Sequence, residues 1–258
     1  MKSIIYVCIV SHGHSSIINE LNCASDLSSI ENVKVIIKSN LPGDDFTDSK
    51  LTWFNERYNQ GFGANNNFVY NQIKGNLKAG DVFIVMNPDI KITKEQFLEL
   101  INLFFIRADK LSAINLFKDK GLTVFDNSIR KFPNLIDFFS SFFLSRNRTI
   151  INKTEIKDNM TVDWAAGSFL VFDAEHYNKL SGFDEKYFMY CEDIDICFRS
   201  KFLLGQEVVF YPNIKAYHAA SHENRKICSK HFYWHLKSAI KFIYSKRKIF
   251  KSIENEKK

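Results

Sequence analysis

Three short runs constrain the fold of this chain more than any other feature: residues 4–10, 33–37 and 82–86 are apolar throughout or nearly so. A strand with one wet face alternates polar and apolar side chains, whereas a strand covered on both faces does not. The three runs therefore predict strands of a sheet packed between layers, and the helical patterns between them predict βαβ units in a mostly parallel sheet. The third run leads into Asn87-Pro88-Asp89, and then Thr93-Lys94-Glu95-Gln96 reads as a capping box opening a helix through about Phe105. Asp89 thus falls at the carboxyl end of a central strand, where open α/β sheets place their ligands. Residues 169–172 and 208–211 read as two further strands, and a helix over 192–204 between them is stopped by Gly205.

The middle of the chain is less regular. Residues 132–144 are very rich in Phe and fit a core helix, a hinge over a site, or an interfacial patch. Beyond Lys230, the positions Phe232, Leu236, Ala239, Ile240 and Ile243 keep helical spacing, with Lys on the other face.

Length and composition bound the rest. With 258 residues and 45% hydrophobic content, the chain suits one large α/β domain, or one domain with a helical appendage. The apolar run at 4–10 lacks a small-residue cleavage site and reads as a buried strand, not a signal peptide. No run reaches the ~18 apolar residues of a membrane span. The five cysteines, Cys8, Cys23, Cys191, Cys197 and Cys228, are an odd set without CxxC spacing, which argues against a disulfide framework or zinc knuckle and fits a reducing cytoplasm. The net charge is +6, and residues 237–258 hold eight Lys and Arg against two Glu. That bias points to an anionic surface, and no nucleic-acid reader motif accompanies it.

Four segments can carry chemistry. Asp89 is suited to a hard divalent cation, which needs an anionic oxygen ligand on a rigid element, although an Asp before a helix is also an ordinary turn or cap residue. Residues 59–67 bring Gly61 and Gly63 one residue apart ahead of Asn65-Asn66-Asn67, allowing close backbone approach to a ligand and free helix N–H groups. The third glycine of a dinucleotide fingerprint and the Lys of a P-loop are both missing. Residues 182–195 crowd aromatic residues before Glu192, Asp193 and Asp195, a setting in which a carboxylate can be tuned as a base. Asp195 and Arg199, four apart, read most simply as an ion pair. Finally His218 and His222, with Arg225 close by, form a candidate metal and phosphate cluster. Zinc is the weaker option there, since no third soft ligand is spaced nearby.

In order along the chain, these segments resemble the family 2 inverting glycosyltransferases of the GT-A fold. They are most similar to the bacterial O-antigen rhamnosyltransferases that act on undecaprenyl-diphosphate-linked sugars. The matching stretches are 10–14, Gly61-Phe62-Gly63 with Asn65-Asn66-Asn67, Asn87-Pro88-Asp89, Arg130-Lys131-Phe132-Pro133, 162–169, 182–195 and Trp234-His235-Leu236-Lys237-Ser238. They span nearly the whole chain.

The resemblance implies a Rossmann-like, mostly parallel sheet flanked by helices. It divides the chain into a GT-A domain over 1–228, with a donor half to about 110 and an acceptor half after it, and a basic amphipathic helix over 229–258. It implies that Asp89 and His218 hold a divalent ion, Mn or Mg, and that Asp193 is the catalytic base. It assigns Ser11, Ser39, Asn40, Gly63, Asn65, Asn87 and Arg225 to the nucleotide donor, and Trp164, Gly167 and Glu192 to the acceptor. The donor expected is dTDP-L-rhamnose and the acceptor an undecaprenyl-diphosphate-linked GlcNAc at the inner face of the inner membrane, with no nucleic-acid partner. A UDP-hexose donor, or a non-catalytic role in a polysaccharide assembly complex, are the alternatives. One departure stands out: the acidic residue that relatives carry after the second strand is replaced here by Lys38-Ser39-Asn40.

Overall fold

The computed structural model describes residues 2–143, 147–219 and 230–256. Its elements run β1 (Ile5–Ser11), α1 (Ser15–Leu21), α2 (Cys23–Ser28), β2 (Val33–Ser39), β3 (Thr52–Phe54), α3 (Phe62–Ile73), β4 (Val82–Met86), β5 (Ile90–Lys91) and α4 (Lys94–Arg107). The second half continues β6 (Leu111–Phe117), β7 (Ile129–Arg130), α5 (Leu135–Phe143), β8 (Met160–Val162), β9 (Trp164–Ala165), β10 (Phe169–Asp173), α6 (Ala174–Lys179), α7 (Glu192–Leu204), β11 (Val208–His218) and α8 (Lys230–Glu256).

A nine-stranded sheet in the order β3-β2-β1-β4-β10-β6-β11-β5, with β8 also on β11, forms the centre. Strands β3, β2, β1 and β4 are parallel, as the apolar runs predict. The sheet then becomes mixed, because β10 enters antiparallel between β4 and β6. Pleating sends alternate side chains to opposite faces. Tyr6, Cys8, Ile36, Phe83 and Val85 point to one core, shared with α3, α6, α7 and α8; Ile5, Val7, Ile9, Val35, Ile37 and Ile84 point to the other, with α1, α2 and α4. Both faces are covered, which is why these strands carry no polar alternation.

Helix α4 begins as expected, with Thr93 accepting from Gln96 N–H at 3.3 Å. The reciprocal half of the capping box does not form. The Gln96 side chain instead accepts from Lys215 N–H at 2.6 Å and donates to Glu99 at 3.0 Å. A tertiary partner on β11 has outcompeted the local one. Helix α7 spans the expected residues and ends at Gly205 with φ +67°, the left-handed cap that glycine adopts without strain.

The Phe-rich segment splits in two. Phe138 of α5 is buried and meets the Phe242 ring of α8 at 6.3 Å, whereas Leu135, Ile136 and Phe139 are exposed. Along α8, Ala239 and Phe242 enter the core, and the Phe198 ring of α7 receives Phe242 and Phe250 at 5.7 and 5.4 Å. Ser238 of α8 also donates to Met189 O at 2.9 Å, so the helix braces the loop that precedes α7.

The glycines at 61 and 63 are required by the packing around them. A Cβ on Gly61 would lie 2.4 Å from Phe188 O, and one on Gly63 would lie 2.6 Å from Phe183 Cβ. Phe62 N–H also donates to Phe188 O at 3.0 Å, which stitches the start of α3 to the same loop. Gly61→Ala forces that loop away without any cost in φ, and we expect it to lower stability by about 1–3 kcal/mol, the range for overpacked sites. A fall in melting temperature for Gly61→Ala, beside an unchanged value for an exposed control such as Lys120→Ala, is the measurement that checks this.

Candidate active site

The site assembles at the carboxyl ends of the central strands. Directly after β4, Asn87 N–H donates to Ser168 O at 2.8 Å, which fixes the turn that presents Asp89. The last residue of β11, His218, comes alongside: its Nε2 lies 3.4 Å from Asp89 Oδ1 and 3.4 Å from Asn87 Nδ2, and Ala219 N–H donates to Asp89 O at 2.9 Å. The other ring nitrogen, Nδ1, lies 2.7 Å from Asp126 Oδ2. Burial works against a charged imidazole here, but hydrogen bonds to Asp126 and Asp89 outweigh it and raise His218 to about 9. Asp126 is pushed up by its own burial, yet His218 holds it below the usual carboxylate range overall.

This arrangement fits a divalent cation. Among the described residues no group of three or more His, Cys, Asp and Glu gathers to hold a metal ion. Asp89 and His218 supply two donors, which suits an ion that keeps its remaining positions for water and diphosphate oxygens, as Mg and its relatives do. Asp126 behind the imidazole is the kind of carboxylate partner that metal-ligating histidines usually have, and it would leave Nε2 for an ion.

The second half of the site is the start of α7. Tyr190 and Cys191 both adopt left-handed backbone, with φ +70° and +66°, a conformation that costs non-glycine residues of order 1 kcal/mol each. The chain thereby turns sharply into Glu192 and Asp193. Asp193 accepts from Gly167 N–H at 3.2 Å and from Ile194 N–H at 2.8 Å. Gly167 reaches it because its α-carbon abuts the Phe62 ring, where a Cβ would approach to 2.9 Å. Glu192 is buried and its Oε2 has no hydrogen-bond partner. Burial raises the carboxyls of both residues, and the Asp193 charge carries Glu192 further, to about 8. Burial thus disfavours charge on both, and Asp193, with its two backbone N–H donors, is the better placed of the two to carry it.

Both halves open on one cavity of about 660 Å³, whose lining includes Asn87, Asp126, Arg130, Gly167, Glu192, Asp193 and His218. A smaller cavity of about 180 Å³ adjoins it and is lined by Trp164, Phe138 and His235 as well as Glu192 and Asp193. Of the residues singled out in the sequence, these cavities bring together Asn87, Trp164, Gly167, Glu192, Asp193 and His218, and His218 in turn touches Asp89.

The other expected donor residues make hydrogen bonds within the chain. Asn65 is fully buried and donates to Gln60 O and Gly61 O at 3.2 and 3.0 Å, and Asn67 ties Tyr177, Phe183 and Glu185 to α3. The Oδ1 atoms of Asn65 and Asn66 are buried without a hydrogen-bond partner. Ser11 accepts from His14 N–H at 2.9 Å. Asn40 pairs with both backbone groups of Gln60 at 2.9 Å. Ser39 donates to Asp44 at 2.7 Å and accepts from Trp53 at 2.8 Å. Arg225 and His222 lie outside the described residues.

Sequence reasoning missed Asp44 and Asp126. Asp44 restores an acid to the corner after β2, five residues beyond Ser39, and Asp126 stands 92 positions from its histidine. Neither carries a local motif, so only the fold reveals them. The expected ion pair of Asp195 with Arg199 forms at 2.7 Å, and Arg199 also donates to the carbonyls of Leu180 and Gly182.

No protein-family model matches the chain. It is 36% identical to rhamnosyltransferase WbbL of Escherichia coli K12, over 94% of each protein. It is also 33% identical, over 32% of this chain and 26% of the relative, to an N-acetylglucosaminyl-diphospho-decaprenol L-rhamnosyltransferase of Mycobacterium tuberculosis. Among solved structures, GalNAc-T7 with UDP, GalNAc and Mn2+ superposes with a TM-score of 0.64 at 11% identity, covering 94% of this chain and 48% of the other. Staphylococcus aureus TarS 1-349 in complex with UDP-GlcNAc gives 0.56 at 14% identity, over 89% and 63%. These structures share the fold.

The Asp126-His218-Asp89 line makes a prediction about metal binding. Ligation through Nε2 requires the His218 proton to leave, so affinity for Mn or Mg rises with pH toward about 9, with proton release on binding. Asp126→Asn should weaken binding about 10- to 100-fold, the usual cost of losing such a partner. Calorimetry in buffers of different ionisation enthalpy reads both effects, and pH-independent binding would exclude His218 as a ligand.

Proposed function

The chain belongs to the family 2 inverting glycosyltransferases of the GT-A fold, among the bacterial rhamnosyltransferases, and on that premise we propose a complete reaction for it. It transfers L-rhamnose from dTDP-L-rhamnose to the GlcNAc of an undecaprenyl-diphosphate-linked acceptor, in O-antigen lipopolysaccharide biosynthesis. The observation that carries the reading is that a single cavity is lined by both Asp193 and His218, a base and the partner of a candidate metal ligand. The acceptor class follows the activity named for the mycobacterial relative.

Asp193 accepts the proton of the attacking acceptor hydroxyl. As that proton leaves, the hydroxyl oxygen bonds to the anomeric carbon, the bond from that carbon to the diphosphate oxygen breaks, and one displacement inverts the centre. Two backbone N–H groups orient the Asp193 carboxylate and favour its charged form, and Glu192, buried beside it, lines the same cavity. Asp89 and His218 would hold a divalent ion, Mn or Mg, which when bound offsets charge on the departing diphosphate. Asn87, between them and the cavity, faces the donor.

Helix α8 supports a place at the membrane surface. Tyr233, Lys237, Ile240, Tyr244, Lys248 and Lys251 are all exposed and follow helical spacing along its outer face. Aromatic and basic residues in one stripe suit a helix lying on an anionic leaflet, with about 1 kcal/mol from each Lys near the surface. Among the described residues no helix is long and apolar enough to cross a membrane.

The direct test is incubation of the protein with dTDP-L-rhamnose and a short-chain lipid-diphosphate GlcNAc, with Mn or Mg present. A rhamnosylated lipid of inverted anomeric configuration is expected; transfer from a UDP-hexose and not from dTDP-L-rhamnose would overturn the donor. Two substitutions then separate the carboxyls. Asp193→Asn should reduce kcat by about 10²- to 10⁴-fold, the range of general-base contributions. Glu192→Gln, an isostere of the protonated acid, should keep kcat within about one order of magnitude of the parent. Because Asp193 must be ionised and its carboxyl is raised by burial, kcat/KM in the parent should fall on the acid side at a pH above the ordinary carboxylate range.

A further inference from the structure

The Arg130-Lys131-Phe132-Pro133 stretch has no role in the reaction as described so far, yet its first residue is held with care. Arg130 ends β7, paired across a two-stranded sheet with Trp164 of β9, and its guanidinium carbon stacks 5.3 Å from the Trp164 ring. Its Nε donates to Asn127 O at 3.0 Å, and the Trp164 indole N–H donates to Lys131 O at 2.9 Å, locking ring and strand together. Asp163 secures the next residue, accepting from Phe132 N–H at 2.9 Å and from Lys201 at 3.0 Å. Stacking fixes the plane of the guanidinium fork, and a fixed fork is the geometry suited to phosphate.

The position of this fork matters as much as its rigidity. Arg130 and Asp193 are shared by the linings of the larger and the smaller cavity, so they stand at the seam between the two. The smaller cavity leads away from the base between α5 and α8, past Pro133, Phe138 and His235. Its one further carboxylate, Asp137, is occupied as an acceptor of Asn134 N–H at 3.0 Å. On the outer side of α5, Leu135, Ile136 and Phe139 are exposed by 63%, 62% and 56%. Base and stacked cation thus share the smaller cavity, and α5, which gives Asp137 and Phe138 to its lining, carries exposed apolar side chains on its outer side.

We propose that Arg130 binds the diphosphate of the lipid-linked acceptor, and that the smaller cavity beneath α5 leads the first units of the lipid chain out toward the membrane. This rests on the acceptor class given above. With the sugar hydroxyl at Asp193, the diphosphate is attached one sugar ring away, within the same two linings. A guanidinium is well matched to the task, since it offers two parallel N–H donors and keeps its charge when half-buried. The same cation lowers the Asp193 carboxyl electrostatically, so a variant must be read for acceptor binding as well as for rate.

The experiment uses the full chain and two acceptors, a lipid-diphosphate GlcNAc and a neutral alkyl GlcNAc glycoside, with farnesyl diphosphate as a sugar-free binding probe in EDTA. Arg130→Gln should raise KM for the diphosphate acceptor by about tenfold or more, the scale of losing hydrogen bonds to a charged group. The neutral acceptor should lose much less, farnesyl diphosphate affinity should drop in parallel with the first KM, and Arg130→Lys should recover part of both. Melting curves of both variants check that each is folded. Equal losses on the two acceptors, or farnesyl diphosphate binding unchanged by Arg130→Gln, would overturn the assignment to the diphosphate. If the parent binds farnesyl diphosphate through Arg130 and yet transfers no rhamnose, the phosphate site stands and the donor reading falls.

Discussion

Two neighbouring carboxyl groups at the start of a buried helix carry two charges only at a cost, and the site is arranged around that constraint. Glu192 and Asp193 differ in what their surroundings offer. Asp193 receives two backbone N–H groups and faces Arg130 across the cavity, whereas Glu192 keeps an oxygen with no partner at all. Negative charge is therefore better tolerated on Asp193 than on Glu192. Surroundings of this kind separate two neighbouring acids in the sense that a general base needs. The left-handed pair Tyr190 and Cys191 is the backbone cost of bringing both acids into the same turn.

That cost is met by the surrounding packing. The loop before α7 is fastened at Phe188 to the start of α3, at Met189 to Ser238 of α8, and at Phe183 to Asn67. Rings of Phe198, Phe242 and Phe250 weld α8 to α7 behind it. The C-terminal helix therefore does two things with its two faces. Its inner face stabilises the turn that carries Glu192 and Asp193, and its outer face displays Tyr and Lys to solvent.

What could be read from the sequence was what is local or strongly periodic. The parallel strands, the limits of α7 and its Gly205 stop, and the Asp195 to Arg199 pair all follow from patterns a few residues long. The antiparallel insertion of β10 could not be read, since an apolar strand buried on both faces looks the same in either direction. Asn65 to Asn67 were ambiguous in the sequence for a related reason. An amide suited to a ligand is equally suited to a neighbouring carbonyl, and Asn67 found its partners 116 residues away. Asp126 is the converse case, an acid with no motif that becomes part of the site only when β11 brings His218 beside it.

The corner beyond β2 shows how such long-range pairing reshapes a ligand surface. Lys38, fully buried, is satisfied by the carbonyls of Ser39, Glu56 and Arg57, and so fastens the strand end to the loop that precedes α3. Burial lowers the Lys38 ammonium, but three carbonyl acceptors keep the group well solvated by the protein itself. Ser39 is spent between Asp44 and Trp53, and Asn40 is spent on Gln60. Asp44 joins the same network, its carboxylate taking Ser39 on one oxygen and Ser15 N–H on the other. An acid thus stands beside the end of β2, delivered by the loop that follows and held there by β2 and α1.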